Sequence, residues 1–447
     1  MIAHPKTFMK IFRLLPVLAA VSAALSLPAH AQSLIELYQS ARSFDASYLS
    51  AKSQFDASLA KADQARAAIL PTVGMSASVS RSLFSVDKPP LDYSFGSQNI
   101  GLSASQPLYR PANWALASQG EKQVGLAQGQ LIAAEQDLIV RVSQAYFDVL
   151  AATDNLTFVR AQKTAVAEQL ASAKRNFEVG TATITDTREA QAQFDLVVAQ
   201  EIAADYDLRV KKLALDLLAG KTNSQPSILA TPVVLPELAP VDVGVWVNQS
   251  EAAHPGIMQA QMVLDIAKLE TEKARAGSKP TLDLTGSYGV TQNNGSATNL
   301  SDYRTNVATL GLSFNLPLFA GYSIQNRLKE TLALEEKAGS DLEGSRRLVS
   351  QATRAAFFGI LSGQGQVKAL EAAEASSQSA LDANKLGYQV GVRINIDVLN
   401  SQSQLYSTKA KLAQARYNVL LGGLKLRQAN GTLRAEDLQQ VNALLAN

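Results

Sequence analysis

Cysteine is absent from all 447 residues. That excludes disulfides and thiolate catalysis, and it speaks against a lipid anchor on an N-terminal cysteine. Histidine is scarce: the three are His4, His30 and His254. Most metal sites and most histidine-based proton transfer go with it. After the first segment no apolar run approaches the ~20 residues of a membrane-spanning helix, so any crossing must use strands. Acidic and basic residues nearly balance, 39 against 41, which gives no sign of a nucleic-acid partner.

The first 31 residues form a unit of their own. Lys6, Lys10 and Arg13 make a basic start, Leu14 to Leu27 an apolar core, and Ala29-His30-Ala31 a small-residue cleavage site. This reads as a secretory signal peptide rather than a single-span anchor, because the apolar run is short and the cleavage residues are in place. The mature chain then begins near Gln32 with 38 basic and 39 acidic residues, a net charge of −1, and His254 is its one histidine.

What is there is periodic. Leu310 to Phe319 alternates Leu310, Leu312, Phe314, Leu316 and Leu318 with Gly311, Ser313 and Asn315. Period two over about ten residues predicts a strand with unlike faces, long enough to cross a bilayer when tilted. Its echo is Ile100 to Tyr109: Leu102, Ser103, Pro107 and Leu108 return 210 residues later as Leu312, Ser313, Pro317 and Leu318. Two more strands alternate in the same way, one from Thr72 and one from Thr281.

Helices surround the strands. From Leu34 to Ile69 an unbroken stripe repeats every 3.5 residues, through Leu34, Ala41, Tyr48, Phe55, Ala62 and Ile69, which predicts coiled-coil packing. An amphipathic helix of an ordinary bundle is the plainer reading of this stretch alone. Asn113 to Val179 predicts a helix on the order of 100 Å, with Gly120, Gly125 and Gly129 the points where it would break. It closes at Val179-Gly180, and a helix from Asp186 to Ala219 follows.

The plan then recurs. Residues 32–220 form a first repeat, with strands at about 71–83 and 97–109 joined by a polar loop over Arg81 to Ser97. Residues 221–243, with four prolines, form an irregular connector. Residues 244–430 form the second repeat, with strands at about 280–291 and 306–318, and 431–447 a terminal segment. Tyr146 is echoed by Phe357, Val179-Gly180 by Val390-Gly391, and Asp186 by Asp397 at a spacing of 211. Such constant register predicts a duplicated helix–strand–strand–helix unit.

Four strands cannot close a barrel, and an open edge cannot sit in lipid, so closure needs several chains. Three chains supply twelve strands, within the range of known barrels. The apolar faces then meet lipid and the Ser/Thr/Gly faces line a wet lumen. Tyr109, Trp114, Phe319 and Tyr322 fall where an interfacial aromatic belt belongs. A water-soluble sandwich would also alternate, but it has no use for helices of ~100 Å.

The chain resembles the TolC family of outer-membrane channel proteins over nearly all of its mature length. The resemblance rests on Leu70-Pro71-Thr72, Asn176 to Gly180, Leu312 to Leu318, Tyr388 to Arg393, Ile396 to Leu399, Ala415 to Asn418 and Gly431 to Leu433. It implies a mainly α fold with β: a homotrimer whose 12-stranded transmembrane β-barrel stands on a long periplasmic α-helical coiled-coil barrel. The connector and C-terminal segment would supply an equatorial belt. It implies a passive exit duct for drugs or type I secreted proteins, docked to an inner-membrane ABC or RND-type transporter through a periplasmic membrane-fusion adaptor. No catalytic residue, cofactor, metal or nucleic acid is implied.

By the same resemblance, Asp186 is tied to Tyr388 and Arg393 and holds the periplasmic tip closed. Asp397 matches a position whose carboxylates ring the pore constriction, with Asn400 standing where a second aspartate occurs in the family. Two local readings stand beside these. Asp186 could be a helix N-cap, with Glu189 completing a capping box, and Asp397 could be another helix cap. His254, beside Pro255, reads as a turn residue rather than a ligand. The rivals to a duct are a periplasmic coiled-coil adaptor and a secreted enzyme using paired carboxylates. Neither needs two duplicated amphipathic hairpins.

Overall fold

The computed structural model describes residues 32–230 and 232–446; the expected signal peptide, residues 1–31, lies outside the described residues. The stripe that starts at Leu34 forms two helices rather than one, α1 (Leu34–Phe44) and α2 (Ala46–Ala67). Asp45 divides them. Its backbone is extended, and its Oδ1 accepts from the Tyr48 N–H at 2.8 Å, which starts the new helix. The Arg141 guanidinium donates to both Asp45 oxygens at 2.9 and 3.0 Å. The stripe continues through the break because both helices bury the same side.

Two strands follow, β1 (Thr72–Asp87) and β2 (Pro90–Tyr109). Their pairing runs from Thr72 opposite Ser105 to Asp87 opposite Pro90. The polar loop expected over Arg81 to Ser97 is therefore mostly strand. Backbone ladders are indifferent to side-chain polarity, and serines between aromatics extend well on a solvated ribbon. After the helical segments come β3 (Thr281–Asn294) and β4 (Asp302–Asn315). β4 stops before Pro317, which lacks the N–H that a further rung needs. The four strands form one antiparallel sheet in the order β1-β2-β3-β4, so the two hairpins are joined through β2 and β3.

α3 (Pro111–Glu178) is a single helix of 68 residues, about 100 Å long. It does not break at its three glycines, because each gives room to a neighbouring helix. A Cβ on Gly120 would lie 3.0 Å from Ala65 Cβ, and one on Gly125 or Gly129 would lie 2.9 Å from the Met262 or Met258 side chain. α4 (Ile184–Ala219) returns beside the lower half of α3, with Thr187 at Ala173 and Lys211 at Asp148. α2 occupies the upper half.

The second repeat copies this plan. α5 (Val243–Ala253) and α6 (Pro255–Ala276) adjoin at His254, whose Nδ1 accepts from the Gly256 N–H at 3.0 Å. It is a turn residue that also caps α6, and burial lowers its pKa. α7 (Ser323–Gln389) is the second long helix, and α8 (Asn395–Ala429) returns along it. α9 (Asp437–Asn442) is short.

The largest core lies midway along the molecule. Leu34, Leu37, Leu138, Ile139, Tyr146, Phe147, Leu215, Tyr417 and Leu438 pack there. Tyr146 donates to Ser227 O at 2.7 Å, which ties the connector to the core. The connector also meets the C-terminal segment, where Ala230 N donates to Leu444 O at 2.9 Å. Phe357, the echo of Tyr146, anchors a smaller core with Trp246, Ile360 and Leu426.

Candidate channel wall and tip

The sheet has two unlike faces that run across all four strands. Met75 stands opposite Leu102, Leu102 opposite Tyr288, and Tyr288 opposite Ala308. One rung down, Val73, Ala104, Gly286 and Leu310 align on the same side. The other side reads Gly74, Ser103, Ser287 and Thr309 in one rung, and Ser76, Gly101, Gly289 and Val307 in the next. Val79 is 81% exposed, Leu310 80% and Leu318 90%, although water is a poor solvent for them. Among the described residues nothing pairs with the second edges of the outer strands β1 and β4. An apolar face and two bare edges belong in an assembly.

Aromatic pairs mark the end of the sheet next to the helices. Tyr109 and Trp114 meet edge-on at 5.6 Å, and Phe319 and Tyr322 at 5.5 Å. All four are exposed, as an interfacial belt requires. At the same level Arg110 reaches from the first repeat to buried Asp283 of the second, at 2.7 and 2.5 Å.

The far helix ends form the tip. Each closes on a glycine with φ of +79°, Gly180 or Gly391. Thr181 N donates to Asn176 O at 2.8 Å in the first turn, and Val392 N to Gly387 O at 2.9 Å in the second. These are matching αL closures of helices, which only glycine adopts without strain. They leave Val179, Val390, Val392 and Ile394 exposed.

The predicted gating residues gather at this tip but do not all touch. Asp186 lies third in a capping box whose N-cap is Thr183. Its Oδ2 accepts from Thr183 N at 2.9 Å and Thr183 Oγ1 at 2.7 Å. The cap reading is corrected to that extent: Asp186 is not the N-cap, and Glu189 is not its partner. Tyr388 Oη accepts from Asn176 Nδ2 at 3.2 Å. Arg393 faces Asp397, with Nη1 3.6 Å from Oδ2. Asp397 lies in the first turn of α8, whose N-cap is Ile394 rather than an acidic residue. Asn400 is exposed. Within one chain the Asp186 carboxylate meets neither Tyr388 nor Arg393 among the described contacts.

Beside the Asn176–Tyr388 bond, a second tie between the repeats here is Asn395, fully buried at the start of α8. It donates to the backbone O of Asp186 at 3.3 Å and contacts the Gln169 amide. Sequence reasoning passed it over. Its one signal is an amide set between Ile394 and Ile396 at a helix start.

Among the described residues no cluster of three or more His, Asp or Glu side chains could hold a metal, and no helix is long and apolar enough to cross a membrane. The profile of outer membrane efflux proteins matches residues 37–221 and again 246–432.

The chain belongs to the outer membrane efflux protein family.

The double match coincides with the two repeats, and this family is one of transport proteins of the outer membrane. The outer membrane protein TolC of Vibrio cholerae is 35% identical over 435 residues, covering 96% of this chain and 98% of that protein. The alkaline protease secretion protein AprF of Pseudomonas aeruginosa is 29% identical over 423 residues, covering 93% and 88%. The outer membrane channel CmeC of Campylobacter jejuni has the same fold, with a TM-score of 0.78 at 17% identity over 100% of this chain and 98% of its own. In this efflux-family chain the helices and the small antiparallel sheet keep the family's layout.

Proposed function

We propose that three copies of the chain close their sheets into a twelve-stranded barrel and form an exit duct of the outer membrane. The observation that carries this is the sheet itself. It is too small to close, bare at both edges, mostly apolar over the rungs nearer the helices on one face and lined mainly with hydroxyls and glycines on the other. A stripe of exposed apolar residues on α4, Ile202, Tyr206, Leu213 and Leu217, fits cover by a neighbouring copy. Below the barrel, helices of about 100 Å make a tunnel across the periplasm. The exposed valines of the tip offer a periplasmic adaptor an apolar footing, and an ABC or RND-type transporter behind it supplies the energy. The TolC and AprF relatives support small-molecule efflux and type I protein secretion as the cargo classes.

In the assembled ring, Asp186, Tyr388 and Arg393 hold the tip shut, and Asp397 with Asn400 lines the narrowest point. Ties of about 1–3 kcal/mol each are strong enough to hold a gate and weak enough for a docking partner to break. A ring of Asp397 carboxylates favours cations over anions.

The test is single-channel conductance in planar bilayers, for the wild type and for Arg393→Glu combined with Tyr388→Phe. Small wild-type steps that grow several-fold in the variant support the duct and its gate. Absence of any channel sinks the duct and favours a periplasmic scaffold. Equal conductance keeps the duct and moves the constriction to Asp397.

A further inference from the structure

The outer apolar face ends in a polar row. Val79, Gln98, Gln292 and Arg304 stand opposite one another in a single rung. Arg81 lies two residues beyond Val79, hence on the same face. Its guanidinium donates to Ser94 Oγ at 3.0 Å. Arg81, Gln98, Gln292 and Arg304 are all exposed. Among the described residues no carboxylate lies within ion-pair distance of either arginine. Of the acidic residues of this face, Asp302 stands one rung beyond Arg304, level with Arg81 but three strands away from it within the chain, and Asp92 and Asp87 stand farther out toward the hairpin turn.

The row is also at a particular height. Phe314, at the helix end of the apolar face, is ten residues along β4 from Arg304. At about 3.3 Å per residue that is about 33 Å of strand, or about 25 Å along the membrane normal at the usual tilt. That is the thickness of the apolar band of an outer-membrane barrel. Asn306 turns β4 polar one rung before Arg304, so the band ends there. Arg81 and Arg304 therefore sit at the far boundary, on the side away from the periplasmic helices. They lie on opposite edge strands, which a ring of identical copies sets side by side.

We propose that Arg81 and Arg304, with the Gln98 and Gln292 amides between them, bind the phosphate groups of outer-leaflet lipid headgroups. Guanidinium is the cation best matched to phosphate, and amide N–H groups complete the donor set. The apolar band directly below receives the acyl chains, which makes a lipid-borne phosphate a better occupant than a free one. The assignment rests on the duct reading, which turns this face to lipid.

The test uses the detergent-solubilised full-length assembly, its melting followed as bisphosphorylated lipid A is titrated in. Parallel titrations use lipid A stripped of phosphate and inorganic phosphate. The wild type is expected to melt higher with the bisphosphorylated lipid only. Arg81→Gln with Arg304→Gln is expected to need at least tenfold more lipid for half the shift, and Arg81→Lys with Arg304→Lys to recover most of it. Equal responses of wild type and glutamine variant overturn the proposal, as does an equal response to dephosphorylated lipid. Inorganic phosphate matching the lipid overturns the headgroup assignment. Bilayer conductance is recorded on the same samples. Channels without a lipid effect defeat this proposal alone, whereas the absence of channels in the wild type defeats the duct beneath it.

Discussion

The Arg110 guanidinium grips the Asp283 carboxylate through two parallel hydrogen bonds, 2.7 Å from Nε and 2.5 Å from Nη2. The two residues are 173 apart in sequence and belong to different repeats. Arg110 immediately precedes α3, and Asp283 lies on β3 beside the register shift between Pro107 and Tyr109. The pair therefore fixes the angle at which the first long helix leaves the sheet.

Removing Arg110 should cost more than removing the charge of Asp283. Asp283 is 7% exposed, and without Arg110 it becomes a buried carboxylate with no partner cation. We expect Arg110→Ala to destabilise by about 2–3 kcal/mol and Asp283→Asn by about 1 kcal/mol. Thermal unfolding of the detergent-solubilised protein measures both, and the opposite ranking would refute this account.

Gly125 admits α6 against α3, since a Cβ there would meet the Met262 Sδ at 2.9 Å. Gly125→Leu should cost about 1–3 kcal/mol by overpacking. Gly125→Ala should cost little, because the methionine chain can swing aside. Gly120 faces backbone, at 3.1 Å from Ala62 Cα, so even Gly120→Ala should be felt there. Unfolding midpoints of the three variants test the contrast.

Asn395 is the buried link between the repeats at the tip. Asn395→Ala leaves the backbone O of Asp186 without that donor and should cost about 1–2 kcal/mol. The loss should be local. Hydrogen exchange is expected to speed up at the start of α4 and to stay unchanged in the sheet. Faster exchange throughout would show a general fold defect instead.

Glu270 makes a further contribution that depends on pH. Burial alone would raise its pKa, but hydrogen bonds from Lys273, Gln119 and Arg327 outweigh that and bring it from 4.5 to about 2. The folded value is depressed, so the stabilisation is present above pH 4.5 and is lost as pH falls from there to about 2. Because the cluster is partly solvated, the full contribution is about 1–2 kcal/mol. Glu270→Gln should lower stability at pH 7 and flatten the acid limb of the stability curve. An unchanged acid limb would show that other carboxylates carry it.

Much of the fold was legible because its periods are long and repeated. Leu310 to Phe314 alternates only if one face is apolar, and the sheet leaves that face exposed. The αL turns at Gly180 and Gly391 announced themselves as Val-Gly pairs at equivalent places. Boundaries were harder. Asp45 divides a stripe that runs through it unchanged, since periodicity records which side is buried and not whether the axis bends. The ribbon from Arg81 to Ser97 looked like a loop because serine carries no burial signal, yet Phe84 and Tyr93 pair across it with ring centroids 5.2 Å apart.

By itself the sequence determined the duplication, the two long helices, the unlike faces of each strand and the turns that close the tip. These follow from neighbours a few residues apart, whose spacing sets local backbone geometry and the buried side. Tertiary structure alone decided the partners. It set Arg110 on Asp283, Tyr417 on Asp154 at 2.6 Å across 263 residues, and Asn395 beneath Asp186. Such pairings depend on how whole elements are brought together in space, and a local pattern carries no record of what meets it from a distant part of the chain.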